Sequence, residues 1–305
     1  MGLGSYRASD WARLRSSKGL TQLSSVENVF ANQSVSSAFD PRGIVVRESR
    51  DSSDSPRSTP IIIGFDVTAS MGYLAKELAV NAVDRAVTQL CRSKPISDPH
   101  VLCAAIGDSK CDASPLQVTQ FEADIRIISQ LTSLYLEGGG GGNGGESYHL
   151  LWYFADRHTS SDCWQKRHEK GCLFTIGDDD CHPQLTVPEI RRVFGDDVPY
   201  ALSNEELIRA AQEKYHLFHI HIETESAASR AIFGRWQRLL PGHTASIQRK
   251  DINCISDLMT AIIGVTSGKS VNEALNQMEP TAAEKIARSM SLIHIGQQQT
   301  KRLSF

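Results

Sequence analysis

Three oxygen-bearing side chains at alternate positions, Asp66, Thr68 and Ser70, directly follow the apolar run Ile61-Ile62-Ile63-Gly64-Phe65. A carboxylate beside two hydroxyls is hard-cation chemistry. Mg2+ and Mn2+ take oxygen ligands, whereas zinc draws His and Cys. Two further loops carry matching groups. The glycine run 138–145, broken only by Asn143, ends in Glu146-Ser147, and Asp178-Asp179-Asp180 follow the apolar run Gly171–Gly177. The candidate metal set is therefore Asp66, Thr68, Ser70, Glu146, Ser147 and Asp178. Few carboxylates would touch such an ion directly, which leaves it electron-poor and open to an acidic oxygen from outside.

The same residues admit a plainer use. Asp66 could cap the helix that follows, with Thr68 and Ser70 satisfying its free N–H groups. Capping needs one or two such groups, not three plus distant acids. The glycine run could equally be a flexible linker.

These loops need elements that bring them to one edge. Residues 61–65 read as a buried strand. Leu74, Leu78, Ala79, Ala82, Val83, Ala86, Val87 and Leu90 fall at helical spacing and predict a helix over 73–91. His100–Gly107 reads as a second strand, ending in Asp108, and Leu116–Phe121 as a third. A helix over 123–135 precedes the glycine run, and a second, over 148–158, follows it. Strands are expected at 171–177, 216–222 and 245–248, and helices at 187–194, 203–213, 229–240 and 252–265. His219 and His221 share one strand face, with His216 on the other, and packed or edge histidines are expected there. Strands alternating with helices predict an α/β fold: a doubly wound, mostly parallel central sheet flanked by helices. In such sheets ligands bind outside the carboxyl ends of the strands. The expected organisation is an N-terminal extension over 1–58, a domain over 59–266, and a C-terminal helical tail over 267–305. Residues 48–60 read as a solvated connector, with an arm that folds over the domain or meets a partner as the alternative, preceded by a short strand near 43–47.

Bulk properties narrow the classes. The 305 residues are 40% hydrophobic and 22% charged with formal net charge -3, which lacks the basic excess of a nucleic-acid binder. No apolar run approaches the roughly 20 residues of a membrane span, and the first residues lack the apolar core of a secretory signal. Seven cysteines, an odd number, fit a reducing cytoplasm better than a disulfide framework. Cys111, Cys163 and Cys181 lie in polar segments near His158 and His182. No CxxC pair marks them as zinc ligands, and plain structural or exposed cysteines are the alternative.

With strand, loop and helix in this order, the chain resembles the von Willebrand factor A (vWA) domain family over about 59–265. Its metal-ion-dependent adhesion site (MIDAS) uses Asp-x-Ser-x-Ser, a Thr in a second loop and an Asp in a third. Asp66-x-Thr68-x-Ser70 matches the first motif with Thr in the middle place. Asp178 matches the third, although the family has Gly after that Asp and here Gly177 precedes it. The second-loop Thr has no counterpart, and Ser147 or Glu146 stands in its place; Glu146 would make the ion less electrophilic. The resemblance implies an intracellular, non-enzymatic binding module with Mg2+ (or Mn2+, Ca2+) held by Thr68, Ser70 and Asp178, and Asp66 orienting a bound water. It further implies a protein ligand that presents Glu or Asp, in a cytoplasmic multiprotein assembly of the kind AAA+ ATPases build.

Other chemistries fit less well. A haloacid-dehalogenase-type phosphatase would use Asp66 as nucleophile, but it needs a second Asp where Thr68 stands. Val265-Thr266-Ser267-Gly268-Lys269-Ser270 ends like a phosphate-binding P-loop, yet its first Gly would fall at Ile263, and a helical pattern precedes it where a strand is required. No G-x-S-x-G elbow supports a serine hydrolase. A metal-dependent hydrolase using Asp66, and a metal-free subunit with a decayed site, stay open beside the binding module.

Overall fold

Runs as apolar as Ile61-Ile62-Ile63 need burial on both faces, and the chain supplies it with two cores. The structure is a computed structural model that describes residues 8–294, apart from 18, 20–22, 69–70, 94, 140–143 and 277. Ser70 and residues 140–143 of the glycine run thus lie outside the described residues. The strands are β1 (Arg47–Ser49), β2 (Thr59–Asp66), β3 (Pro99–Ile106), β4 (Leu116–Val118), β5 (Thr159–Ser161), β6 (Gly171–Gly177), β7 (Gln184–Leu185), β8 (Leu202–Ser203), β9 (Tyr215–Glu223) and β10 (Thr244–Gln248). Six of them form one sheet in the order β10-β9-β6-β2-β3-β4. Every pairing in it is parallel except β3 with β4.

Along β2 the side chains alternate between the two faces. Ile61, Ile63 and Phe65 join a core with Leu74, Leu78 and Val83 from the helical run 72–93 and with Leu258 and Ile262 from the helix Ile255–Thr266. Ile62 joins the opposite core with Leu151 and Phe154 of the helix Tyr148–Arg157. The doubly wound α/β architecture is therefore present. Gly64 lets this second layer come close: a Cβ there would lie 2.1 Å from Leu151 Cδ2. Among the described residues no helix is long and apolar enough to cross a membrane.

Most elements stand within a few residues of their expected limits, and the differences have local causes. The helix after β2 contains a π turn over Leu78–Ala82. The strand expected over 116–121 stops at Val118 because the Thr119 hydroxyl, not a backbone carbonyl, accepts the Cys103 N–H at 2.9 Å. The helix expected over 123–135 is confined to Arg126–Leu131. The strand expected near 43–47 begins only at Arg47 and pairs with β5, outside the main sheet, because Pro41–Gly43 forms a 3-10 turn.

Residues 48–60 follow the alternative, an arm that folds over the domain. In place of a solvated connector, the segment is pinned by charge. Arg50 pairs with Asp162 at 3.0 Å, and Asp51 pairs with Arg167 at 2.7 Å while accepting the Ser58 hydroxyl at 2.8 Å. Upstream, Trp11, Val29, Phe30 and Phe39 are buried in the first core. Downstream, the helix Pro280–Ser291 lies against β10, where the Ser289 hydroxyl donates to the Ser246 carbonyl.

Candidate functional site

The chain leaves β2 towards β3 on one side and later returns with β6 on the other. That reversal opens a crevice at the carboxyl ends of β2 and β6. Asp66 is the last residue of β2, and Asp178 directly follows β6. A third segment crosses this end of the sheet. The Glu146 N–H donates to the Asp180 carbonyl beyond β6 at 2.8 Å, and the Ser147 N–H donates to the Gly107 carbonyl beyond β3 at 3.2 Å. Because β6 and β3 flank β2, residues 146–147 lie across the end of β2 itself.

Asp66 is fully buried. Its Oδ1 accepts the Thr68 N–H at 2.7 Å, and its Oδ2 accepts the Tyr148 hydroxyl at 3.3 Å. Burial raises the carboxyl to about 7, with Asp178 adding to the push against the bonds from Thr68 and Tyr148. Tyr148 reaches Asp66 because position 177 is glycine. A Cβ at Gly177 would lie 1.9 Å from the Tyr148 hydroxyl oxygen and 3.0 Å from Asp66 Cβ. Thr68 is buried beside Asp66, and Asp178 is half-buried. Burial and Asp179 raise the Asp178 carboxyl, with Arg249 pulling the other way.

The two second-loop candidates part company. Glu146 is 2% exposed, and its Oε2 has no hydrogen-bond partner. Burial and then Asp66, Asp108, Asp112 and Asp179 push its carboxyl up to about 9. Ser147 serves a different turn. Its Oγ accepts the Ser109 N–H at 2.8 Å, meets the Ser109 hydroxyl at 2.9 Å and lies 3.4 Å from Asp108 Oδ1.

That neighbouring turn holds residues outside the candidate metal set. Buried Asp108 accepts His182 Nε2–H at 2.8 Å, and Lys110 Nζ lies 3.0 Å from His182 Nδ1. Asp112 accepts the Asp108 N–H at 2.7 Å. The position of Asp108 after an apolar strand was a usable signal. Nothing in the sequence pointed to Tyr148, which reads as one more apolar helix position.

The chemistry of the set fits a hard divalent cation. It joins carboxylates to a hydroxyl, and one buried carboxylate oxygen lacks a partner. Among the described residues no group of three or more His, Cys, Asp or Glu side chains is gathered to hold a metal. A cation here would therefore draw on Thr68 as well as the acids. The cysteine-based alternative does not assemble: Cys163 lines a cleft at the amino ends of the strands, whereas Cys111 and Cys181 follow the carboxyl ends of β3 and β6.

No family model matches the sequence. No curated protein matches it either. Solved structures that resemble it include von Willebrand factor A domains. The pilus adhesin SpaC from Lactobacillus rhamnosus GG superposes with a TM-score of 0.46 at 9% identity over 72% of this chain. Proximal thread matrix protein 1 from the mussel byssus gives 0.44 at 9% identity over 67%. The vWF domain of the type V pili tip protein Mfa5 from Porphyromonas gingivalis gives 0.43 at 8% over 70% of this chain and 97% of its own. This chain spans 31% of SpaC and 48% of the mussel protein. The likeness is distant, and the fold described here rests on strand order and register.

Proposed function

We propose that this chain is a protein-binding module on a vWA-like fold, with a MIDAS-like site for Mg2+ (or Mn2+, Ca2+) at the carboxyl ends of β2 and β6. The observation that carries the reading is the Asp66–Glu146 pair. Both carboxyls are buried and raised by burial, Asp66 pushes Glu146 further up, one Glu146 oxygen has no partner, and neither group is in an ion pair among the described residues. Burying such charge without compensation costs several kcal/mol, and a divalent cation removes the cost. Thr68, Asp66, Asp178 and Glu146 would hold it, with Ser70 completing the matched motif. The bound ion supplies a Lewis-acidic position for a carboxylate oxygen, and a Glu or Asp of a partner protein is the ligand of that class.

The expected setting is a cytoplasmic multiprotein assembly, with an AAA+ ATPase among its candidate members. That part of the reading rests on the family resemblance alone. A binding role is favoured over catalysis because Thr68 occupies the place where a phosphatase would need its second acid. The test is calorimetric titration of the metal-free protein with Mg2+ and Mn2+. Saturable binding that disappears in Asp66→Ala supports the proposal, and an absence of heat at millimolar metal removes it.

A second reading has one observation in its favour. With Glu146 raised to about 9, its carboxyl holds a proton at neutral pH, and that proton can balance the acid pair without a metal. The chain would then be a metal-free structural subunit. The same titration separates the two.

A further inference from the structure

The opposite end of the sheet carries a cleft that the proposed function does not use. It encloses about 1450 Å³ at the amino ends of β2, β6 and β9. Basic and imidazole side chains from three adjacent strands meet there. Lys170 immediately precedes β6, His216 is the second residue of β9, and His243 immediately precedes β10. In register, His216 stands opposite Cys172, two residues beyond Lys170.

The hydrogen bonding of these groups leaves capacity for a ligand. Lys170 Nζ donates to the Gln212 carbonyl at 2.6 Å, a neutral partner, and Lys170 is in no ion pair among the described residues. His243 Nδ1 is spent on the Leu217 carbonyl at 3.0 Å, which leaves Nε2. The half-buried His216 ring makes no hydrogen bond among the described residues. Burial lowers His216 to about 4, and Lys170 and His243 push it the same way, so the ring is neutral and the positive charge at this spot is that of Lys170.

Two of the nearby acids are already committed. Glu169 is paired with Arg57 and Arg167, and Glu273 is held by Ser270 in a capping box. Glu213 is exposed at the rim. Trp164, Ile96 and Val265 supply an apolar wall.

The Gly268-Lys269-Ser270 segment also lines this cleft, but not as a phosphate loop. The Ser267, Gly268 and Lys269 N–H groups return to carbonyls at the end of the preceding helix, and the Ser270 N–H goes to Glu273. No backbone cradle is left for an anion, so recognition falls to side chains.

We propose that this cleft binds a small organic oxyanion, a phosphate or carboxylate carried on an aromatic or apolar body. Lys170 supplies the charge, His216 and His243 supply ring nitrogens, and Trp164 packs on the body. The cleft is larger than one such ligand fills, so the ligand occupies the Lys170 side of it.

The test uses the full chain and four probes: phenyl phosphate, benzoate, inorganic phosphate and phenol. Binding is followed by calorimetry and by the imidazole NMR signals of His216 and His243. Phenyl phosphate or benzoate is expected to bind saturably, to move both imidazole signals, and to bind more tightly than inorganic phosphate or phenol. The more tightly bound of the two identifies the headgroup. Lys170→Gln and His216→Gln are each expected to weaken binding by about tenfold or more, while Asp66→Asn at the far end leaves it unchanged. Circular dichroism checks that both variants fold. The proposal is overturned by an absence of saturable binding with both phenyl phosphate and benzoate. It is equally overturned by unchanged affinity in folded Lys170→Gln and His216→Gln, or by phenol binding as tightly as the oxyanions.

Discussion

The Tyr148 hydroxyl donates to Asp66 Oδ2 at 3.3 Å across a gap that exists because residue 177 has no side chain. Helix, strand end and glycine thus form one unit that holds the central acid of the site. Gly177→Ala puts a methyl group where the hydroxyl sits. We expect a loss of about 1–3 kcal/mol of stability from overpacking, together with weaker metal binding. Tyr148→Phe removes only the hydrogen bond and is expected to cost about 1–2 kcal/mol. Urea denaturation of both variants measures the difference, and equal stability of Gly177→Ala and wild type would contradict the packing.

Glu146→Gln separates the metal-bound from the metal-free protein. In EDTA above about pH 9, where Glu146 is ionised, the substitution removes a buried charge that Asp66 opposes, and thermal melting is expected to rise by the equivalent of roughly 1 kcal/mol. In Mg2+ it removes a ligand charge, and affinity is expected to fall on the order of tenfold. Opposite signs in the two conditions are the signature. A shift of the same sign in both would detach Glu146 from the cation.

The Asp108–His182 contact is fully buried and braces the turn that holds Ser147. Asp108→Ala leaves His182 Nε2 without its acceptor, while the Ser147 hydroxyl keeps Ser109. Leaving a buried hydrogen-bonding group without its partner costs about 1–3 kcal/mol. Asp108→Asn keeps an acceptor oxygen and is expected to cost less. Equilibrium unfolding of the two variants tests the order, and an Asn variant as unstable as the Ala variant would show that charge, not hydrogen bonding, dominates.

Acid lability follows from histidines on the sheet. Burial lowers His100 and His221 to about 4, and His219 lies well below its ordinary value. An unfolded His takes up a proton near 6.5. Between about pH 6.5 and 4 the unfolded chain therefore binds protons that these folded rings refuse, and stability falls as pH drops through that window. Each ring contributes a slope of about 1.4 kcal/mol per pH unit there and nothing above it. Urea midpoints at several pH values measure the slope, and His221→Gln should make it shallower.

Much of the fold was legible because strand burial leaves a strong pattern. Ile61–Phe65 and Gly171–Gly177 are too apolar for any one-sided element, and the spacing from Leu74 to Leu90 marks one helix face. The short or irregular pieces were not legible. β1 pairs with β5, more than a hundred residues away, and residues 48–60 look like linker until Asp162 and Arg167 arrive to pair with them. Composition alone cannot distinguish a solvated polar segment from one that is salt-bridged to a distant helix.

For the site, the sequence alone determined which side chains were eligible and that strand ends would carry them. Asp66, Thr68 and Asp178 follow from local pattern, since the residue after a buried parallel strand must emerge at its carboxyl end. Only the tertiary structure shows that Ser147 and Glu146 meet different surroundings. They are chain neighbours, and the difference depends on how residues 146–147 lie across β2, between Asp180 and Gly107. That path turns the Ser147 hydroxyl to the turn at Asp108 and leaves the Glu146 carboxylate buried with one oxygen unpartnered. The long-range packing that sets it is spread over three strands, so no local motif could encode it.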